Sequence, residues 1–109
     1  MRLIFDNDQF DRILADNPLV LAYFSGENCN VCASLKPKIE MLVEQQFPSI
    51  MIVEIKTEQA PELISRFSVF TVPVIIFFVE GRDYIREARS VSTAELLQKI
   101  DKIVKLYEE

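Results

Sequence analysis

A chain of 109 residues, half of them apolar, has the size of one compact domain with one core and no room for a second. Twelve basic against seventeen acidic residues leave a formal charge of −5, with no Lys/Arg cluster to follow a phosphate backbone or an anionic bilayer, which argues against nucleic acid and membrane surfaces as partners. Histidine is absent, which removes the usual general base and the commonest metal ligand; two cysteines beside so ample an aliphatic core are no disulfide framework and read instead as chemistry.

Met1 to Phe10 alternates charged and apolar side chains and lacks the uninterrupted apolar stretch of a signal peptide or membrane span, so a cytoplasmic protein is expected. Leu3 to Phe5 fits a short strand. Asn7 to Ala15 follows as a helix with Phe10, Ile13 and Leu14 on one side, stopped by Asn17-Pro18. Leu19 to Phe24 is apolar throughout, as in a strand buried on both faces, and ends in the turn signal Ser25-Gly26. From Val31 to Phe47, Leu35, Ile39, Leu42, Val43 and Phe47 recur at helical spacing, with Lys36, Lys38, Glu40 and Glu44 on the other side. Pro37 falls inside this helix and must forfeit a backbone hydrogen bond there, kinking it.

Ile50 to Ile55 is a second β-rich run, Pro61 to Phe67 a short helix, and Val74 to Val79 a third buried strand. Glu80-Gly81-Arg82 turns into a more polar strand near Asp83 to Ala88. The last helix has its N-cap at Ser92 or Thr93 with Glu95 behind, and carries Leu96, Leu97, Ile100, Ile103, Val104 and Tyr107 along one stripe. The order β-α-β-α-β-α-β-β-α predicts an α/β fold, a central mixed β-sheet flanked by helices on both faces. Residues 1–109 are expected to form that single domain. Surface charge runs such as Glu87 to Arg89 read as solvated faces. Of the aromatics, Phe67, Phe77 and Phe78 read as core, while Phe70 precedes Thr71-Val72-Pro73 and is a candidate for the lining of a groove.

Cys29-Asn30-Val31-Cys32 lies between a buried strand and a helix N-terminus. Unpaired N–H groups and the helix dipole favour an anion there, so a thiolate at Cys29 is stabilised and its pKa is expected to fall. Cys32, one turn further in, can reach the same sulfur and close a short disulfide. The bland alternative is a pair of small buried hydrophobes without redox role. A structural zinc wants four ligands and finds two thiols and no histidine, so no metal site is expected unless two subunits share one.

With Val20 to Cys32 leading into that pair, Pro37 five residues after it, Thr71-Val72-Pro73 before a buried strand and Gly81 in a hairpin turn, the chain resembles the thioredoxin family over almost its whole length. The resemblance implies a thioredoxin fold with Cys29 as attacking thiol, Cys32 as resolving thiol and Pro73 as a cis-proline facing them. It further implies a substrate groove at Asn28, Asn30, Val31, Thr71, Val72 and Pro73, where an extended segment can add as a strand. No cofactor is implied. The expected partners are protein disulfide substrates and a reductase, the expected state a monomer, and the expected role dithiol reduction in cell redox homeostasis. A protein-binding module with idle cysteines and an adaptor gated by their redox state are the alternatives.

Four positions depart from the family. Asn28 replaces its tryptophan and Asn30-Val31 its Gly-Pro, so Val31 restores a backbone N–H at the helix start. Tyr23 occupies the place of a buried acid that assists proton transfer to the second thiol, a relay that is then missing unless Glu27 or water substitutes. Lys56 is a candidate for the lysine that accompanies that acid, but an apparent extra residue between Glu58 and Pro61 leaves its position open.

Overall fold

The computed structural model describes residues 1–88 and 90–109; the charge run noted at Glu87 to Arg89 therefore ends, at Arg89, outside the described residues. In chain order the elements are β1 (Arg2–Leu3), α1 (Asn7–Asp16), β2 (Leu19–Ser25), α2 (Asn30–Gln46), β3 (Met51–Lys56), α3 (Pro61–Arg66), β4 (Val74–Val79), β5 (Arg82–Ala88) and α4 (Thr93–Glu108). They form a five-stranded sheet in the order β1-β3-β2-β4-β5, parallel from β1 to β2 and antiparallel at β4 and β5. The mixed sheet expected from the sequence is the one observed.

Boundaries move by a residue or two for local reasons. The first strand is only Arg2–Leu3, because Asp6 begins α1 by accepting the Gln9 N–H on its side chain, which leaves little chain for pairing with β3. The Cys29 sulfur caps α2 in the same way, accepting the Cys32 N–H, so the helix starts at Asn30. Pro37 sits within α2, which runs on to Gln46 around it. Ser92 caps α4 by accepting the Glu95 N–H. The β4–β5 hairpin turns on Glu80 and Gly81, both at positive φ (50° and 79°), the combination a two-residue turn of the right twist requires.

The sheet separates two apolar cores. Leu19, Leu21, Tyr23, Ile52, Ile75 and Phe77 face α2 and α4, where Ile39, Val43, Leu96, Ile100 and Val104 cover them. Val20, Ala22, Phe24, Val53, Ile55, Ile76 and Phe78 face the other way, toward Phe10 and Ile13 of α1 and Leu63 of α3. Each large side chain so buried contributes roughly 1.5–3 kcal/mol relative to exposure. β2 lies between β3 and β4 and is buried at all seven positions, which explains its unbroken apolar sequence.

Register then assembles the site. Ser25, the last residue of β2, pairs with Lys56 at the end of β3, while Phe24 pairs with Val74 at the start of β4. The segment carrying the cysteines therefore leaves the sheet between the loop after β3 and the loop before β4, outside the carboxyl end of the central strand.

Candidate functional site

A disulfide joins Cys29 and Cys32, whose Cα atoms are 5.3 Å apart, within the ordinary range for such a bond. Asn28 precedes it in the left-handed region (φ 55°), which asparagine tolerates better than most residues, and this turns the chain from β2 into α2. The two sulfurs differ in surroundings. Cys29 is partly exposed and its Sγ accepts the Cys32 N–H at 3.2 Å; Cys32 is 3% exposed. An N–H pointing at Cys29 favours negative charge on that sulfur, the polarity expected at a helix start.

A groove of about 580 Å³ runs past the disulfide and is lined by Cys29, Asn30, Val31, Leu35, Val72 and Pro73, with Ser90 and Val91 at its far side. The Val72-Pro73 bond is cis, as the resemblance implied. Of the residues expected to form a substrate surface, the structure thus brings Asn30, Val31, Val72 and Pro73 together. Asn28 lies on the other side of the disulfide, and Thr71 is exposed without lining the groove. Phe70, 87% exposed, does not line it either; it projects from the segment leading to Pro73, which separates it from the buried phenylalanines it resembles in sequence.

The active-site loop is tied down by an acid from the next loop. Glu58 accepts the backbone N–H of Glu27 at 3.0 Å and the Thr57 hydroxyl at 2.9 Å, and these bonds hold its carboxyl below the usual carboxylate range. Gly26 permits that approach, since a Cβ there would stand 3.3 Å from Glu58 Oε2, Thr57 Oγ1 and Val72 Cγ2. Glu27, the sequence candidate for a substitute acid, points its own side chain into solvent and joins this arrangement through its backbone.

Behind the disulfide lies a second cavity of about 330 Å³, lined by Cys29, Cys32, Asn28, Asn30, Ser25, Lys36, Lys56 and Glu54, among others. Glu54 is only 4% exposed. It follows Tyr23 across the β2–β3 pairing, accepts the Ser25 hydroxyl at 2.9 Å on one oxygen and the Lys36 ammonium at 2.8 Å on the other. Burial alone would raise its pKa; the bonds from Lys36 and Ser25 and the charges of Lys36 and Lys56 outweigh it and leave the carboxyl below its ordinary value. Tyr23, fully buried, donates its hydroxyl to the Cys32 carbonyl at 2.7 Å; burial, then the nearby Glu54 charge, push the phenol up to about 12. The tyrosine in the acid's place is therefore a fixed donor to the cysteine helix, and a buried acid is present after all, one strand over. Lys56, the lysine candidate, lines the same cavity but does not bond Glu54; Lys36 does. A lone charged residue in the otherwise apolar run Ile50 to Ile55 was the available signal, since a buried charge demands a partner.

A half-buried sulfur at a helix start, bonded to a buried one and facing a groove, is the site of a redox-active Cys-x-x-Cys protein on an α/β sheet. The family model described as Thioredoxin matches residues 2–102. The chain is 40% identical over 86 residues to the thioredoxin-like protein YdfQ of Bacillus subtilis (strain 168), covering 79% of this chain and 76% of that one. It superposes with a TM-score of 0.83 on a mutant thioredoxin from Halobacterium salinarum NRC-1, at 25% identity over 93% of this chain and 88% of that one. The thioredoxin of Fasciola hepatica gives 0.85 at 20% identity, over 94% and 98%. The chain belongs to the thioredoxin family, and family, fold and disulfide together support a thiol–disulfide oxidoreductase in general terms. Among the described residues no group of three or more His, Cys, Asp or Glu is placed to hold a metal ion, and no helix is long and apolar enough to cross a membrane.

Proposed function

We propose that this protein exchanges a dithiol for a disulfide with protein substrates, Cys29 attacking and Cys32 resolving. The observation that carries the assignment is the asymmetry of the pair: Cys29 is accessible and receives an N–H on its sulfur, whereas Cys32 is shut in behind it. In the reductive direction the Cys29 thiolate attacks a substrate disulfide and forms a mixed disulfide. Cys32 then displaces the substrate thiolate and restores the Cys29–Cys32 bond. Asn30, Val31, Val72 and Pro73, with Asn28 and Thr71 at the margins, are the surface against which the substrate segment lies. On this reading the chain works as one domain and as a monomer in the cytoplasm, and a reductase returns the disulfide to the dithiol.

The test is a redox equilibrium titration with alkylation trapping, followed by turnover of a protein disulfide in the presence of a dithiol. Reversible two-electron cycling and multiple turnovers are expected, with Cys29→Ser inactive and Cys32→Ser arrested as the mixed disulfide. Faster alkylation of Cys32 than of Cys29 in the reduced protein would reverse the assignment of the two roles. Partner capture that persists in Cys29→Ser without turnover by the wild type would make the chain a binding module.

A further inference from the structure

We propose that Glu58 is a positioning residue for Cys29: by holding the backbone of the active-site loop in both redox states, it raises the tendency of the Cys29–Cys32 pair to close as a disulfide. This rests on the oxidoreductase reading above and places a control of the dithiol–disulfide balance outside the Cys-x-x-Cys segment. The link from β2 to α2 is Gly26 to Cys29, and its own composition does not fix it. Gly26 has more backbone freedom to lose than any other residue type, and Asn28 stands in the left-handed region at φ 55°.

Two hydrogen bonds to the loop after β3 fasten this link. The Thr57 N–H donates to the Ser25 carbonyl at 2.9 Å, where the strand ends, and the Glu27 N–H donates to Glu58 Oε2 at 3.0 Å, two residues before Cys29. Among the described residues, Glu58 supplies the only side chain bonded to Gly26, Glu27 or Asn28. The Thr57 hydroxyl donates to the same carboxylate oxygen at 2.9 Å, so an acid on the surface is aimed inward at the loop. It reaches the backbone there because residue 26 has no side chain: a Cβ would stand 3.3 Å from Glu58 Oε2 and equally close to Val72 Cγ2 on the groove wall.

The direction of the effect follows from what each redox state leaves free. In the disulfide, the bond to Cys32 ties Cys29 to α2, and the link is ordered whether or not Glu58 holds it. In the dithiol that covalent tie is gone. Without Glu58 the link would regain backbone freedom, which closure must remove again. With Glu58 in place Cys29 stays at the start of α2, and the two sulfurs meet at a higher effective concentration. Against glutathione the exchange balances: the glutathione S–S bond breaks, the Cys29–Cys32 bond forms, two electrons pass to glutathione, and the two cysteine protons end on its two thiols. Glu58 gives up no proton or electron in it.

A carboxylate near a thiolate also acts through its charge, and substitution separates the two effects. Glu58→Gln removes the charge and keeps a side-chain oxygen to accept the Glu27 N–H, whereas Glu58→Ala removes both.

The experiment equilibrates wild type and variants in glutathione buffers at neutral pH, traps free thiols by alkylation and counts them by mass. A loss of packing common to both redox forms cancels in the resulting constant. Glu58→Ala is expected to lower the constant for disulfide formation about tenfold, a rise of about 30 mV in reduction potential. The Glu27 amide should also exchange its hydrogen faster in the reduced variant. Glu58→Gln should stay within about twofold of wild type, since the hydrogen bond survives. Glu58→Ala within that same margin, or Glu58→Gln falling as far as Glu58→Ala, overturns the proposal. Should Glu58→Ala not fold, Thr57→Val decides: it removes the hydroxyl that aims the carboxylate and is expected to lower the constant about threefold, and an unchanged constant overturns the proposal. A wild type that never equilibrates with glutathione overturns the oxidoreductase reading and this inference with it; unchanged variants of a wild type that does equilibrate overturn this inference alone.

Discussion

Single atoms distinguish this site from a generic Cys-x-x-Cys loop, and Tyr23 shows how. Its hydroxyl reaches the Cys32 carbonyl from β2, and its pKa is raised from 10 to about 12, chiefly by burial. A group whose folded pKa lies above its unfolded one adds stability that is complete below the unfolded value and lost as pH climbs through the folded one. Oxidised protein should therefore lose on the order of 2–3 kcal/mol between about pH 10 and 12 through Tyr23. Tyr23→Phe should give up about 1 kcal/mol at neutral pH with the hydrogen bond, and should lack that part of the alkaline loss. Urea unfolding at pH 8 and pH 11 reads both; equal alkaline losses in the two proteins would show that Tyr23 does not titrate differently on unfolding. The cysteines were legible because a short apolar run followed by a turn and a helical stripe is a local pattern. Glu54 was not, because its neighbours Ser25 and Lys36 lie 29 and 18 residues away and meet it only through strand register.

Secondary structure elements were read well wherever the signal is periodic and less well where a cap decides the end. β4 keeps the bounds Val74 to Val79 read from its apolar run, whereas the first strand shrinks to two residues because Asp6 captures the chain for α1. The expected cap of α4 is Ser92 rather than Thr93, as its hydroxyl accepts the Glu95 N–H. Ser92→Ala should cost about 1 kcal/mol, with Thr93→Ala costing less since Thr93 lies inside the helix. For a domain of this size that is a fall in Tm of roughly 4–8 °C, measurable by thermal unfolding with the disulfide intact. An equal fall for both variants would mean that the cap hydrogen bond contributes nothing beyond helix propensity.

Across the molecule, the sheet keeps its two cores apart. Ile13 belongs to the α1 and α3 side and Ile100 to the α2 and α4 side, with no shared cluster between them. Each substitution to valine should cost about 0.5–1.5 kcal/mol, and the double variant should equal their sum within about 0.5 kcal/mol. A larger departure in denaturant unfolding would reveal coupling through the sheet. The same layout bears on what surrounds the protein. A sheet that does not close on itself has two rims, and each is a template on which a foreign strand can grow. Here one rim is β1, two residues long, and the other is β5, whose sequence Arg82 to Ala88 carries four charges and is bent by an irregularity against Phe77 and Phe78. A neighbour in a crowded solution finds too little backbone on one side and a charged, irregular ribbon on the other, so neither rim offers the long, flat, apolar edge on which chains stack into aggregates.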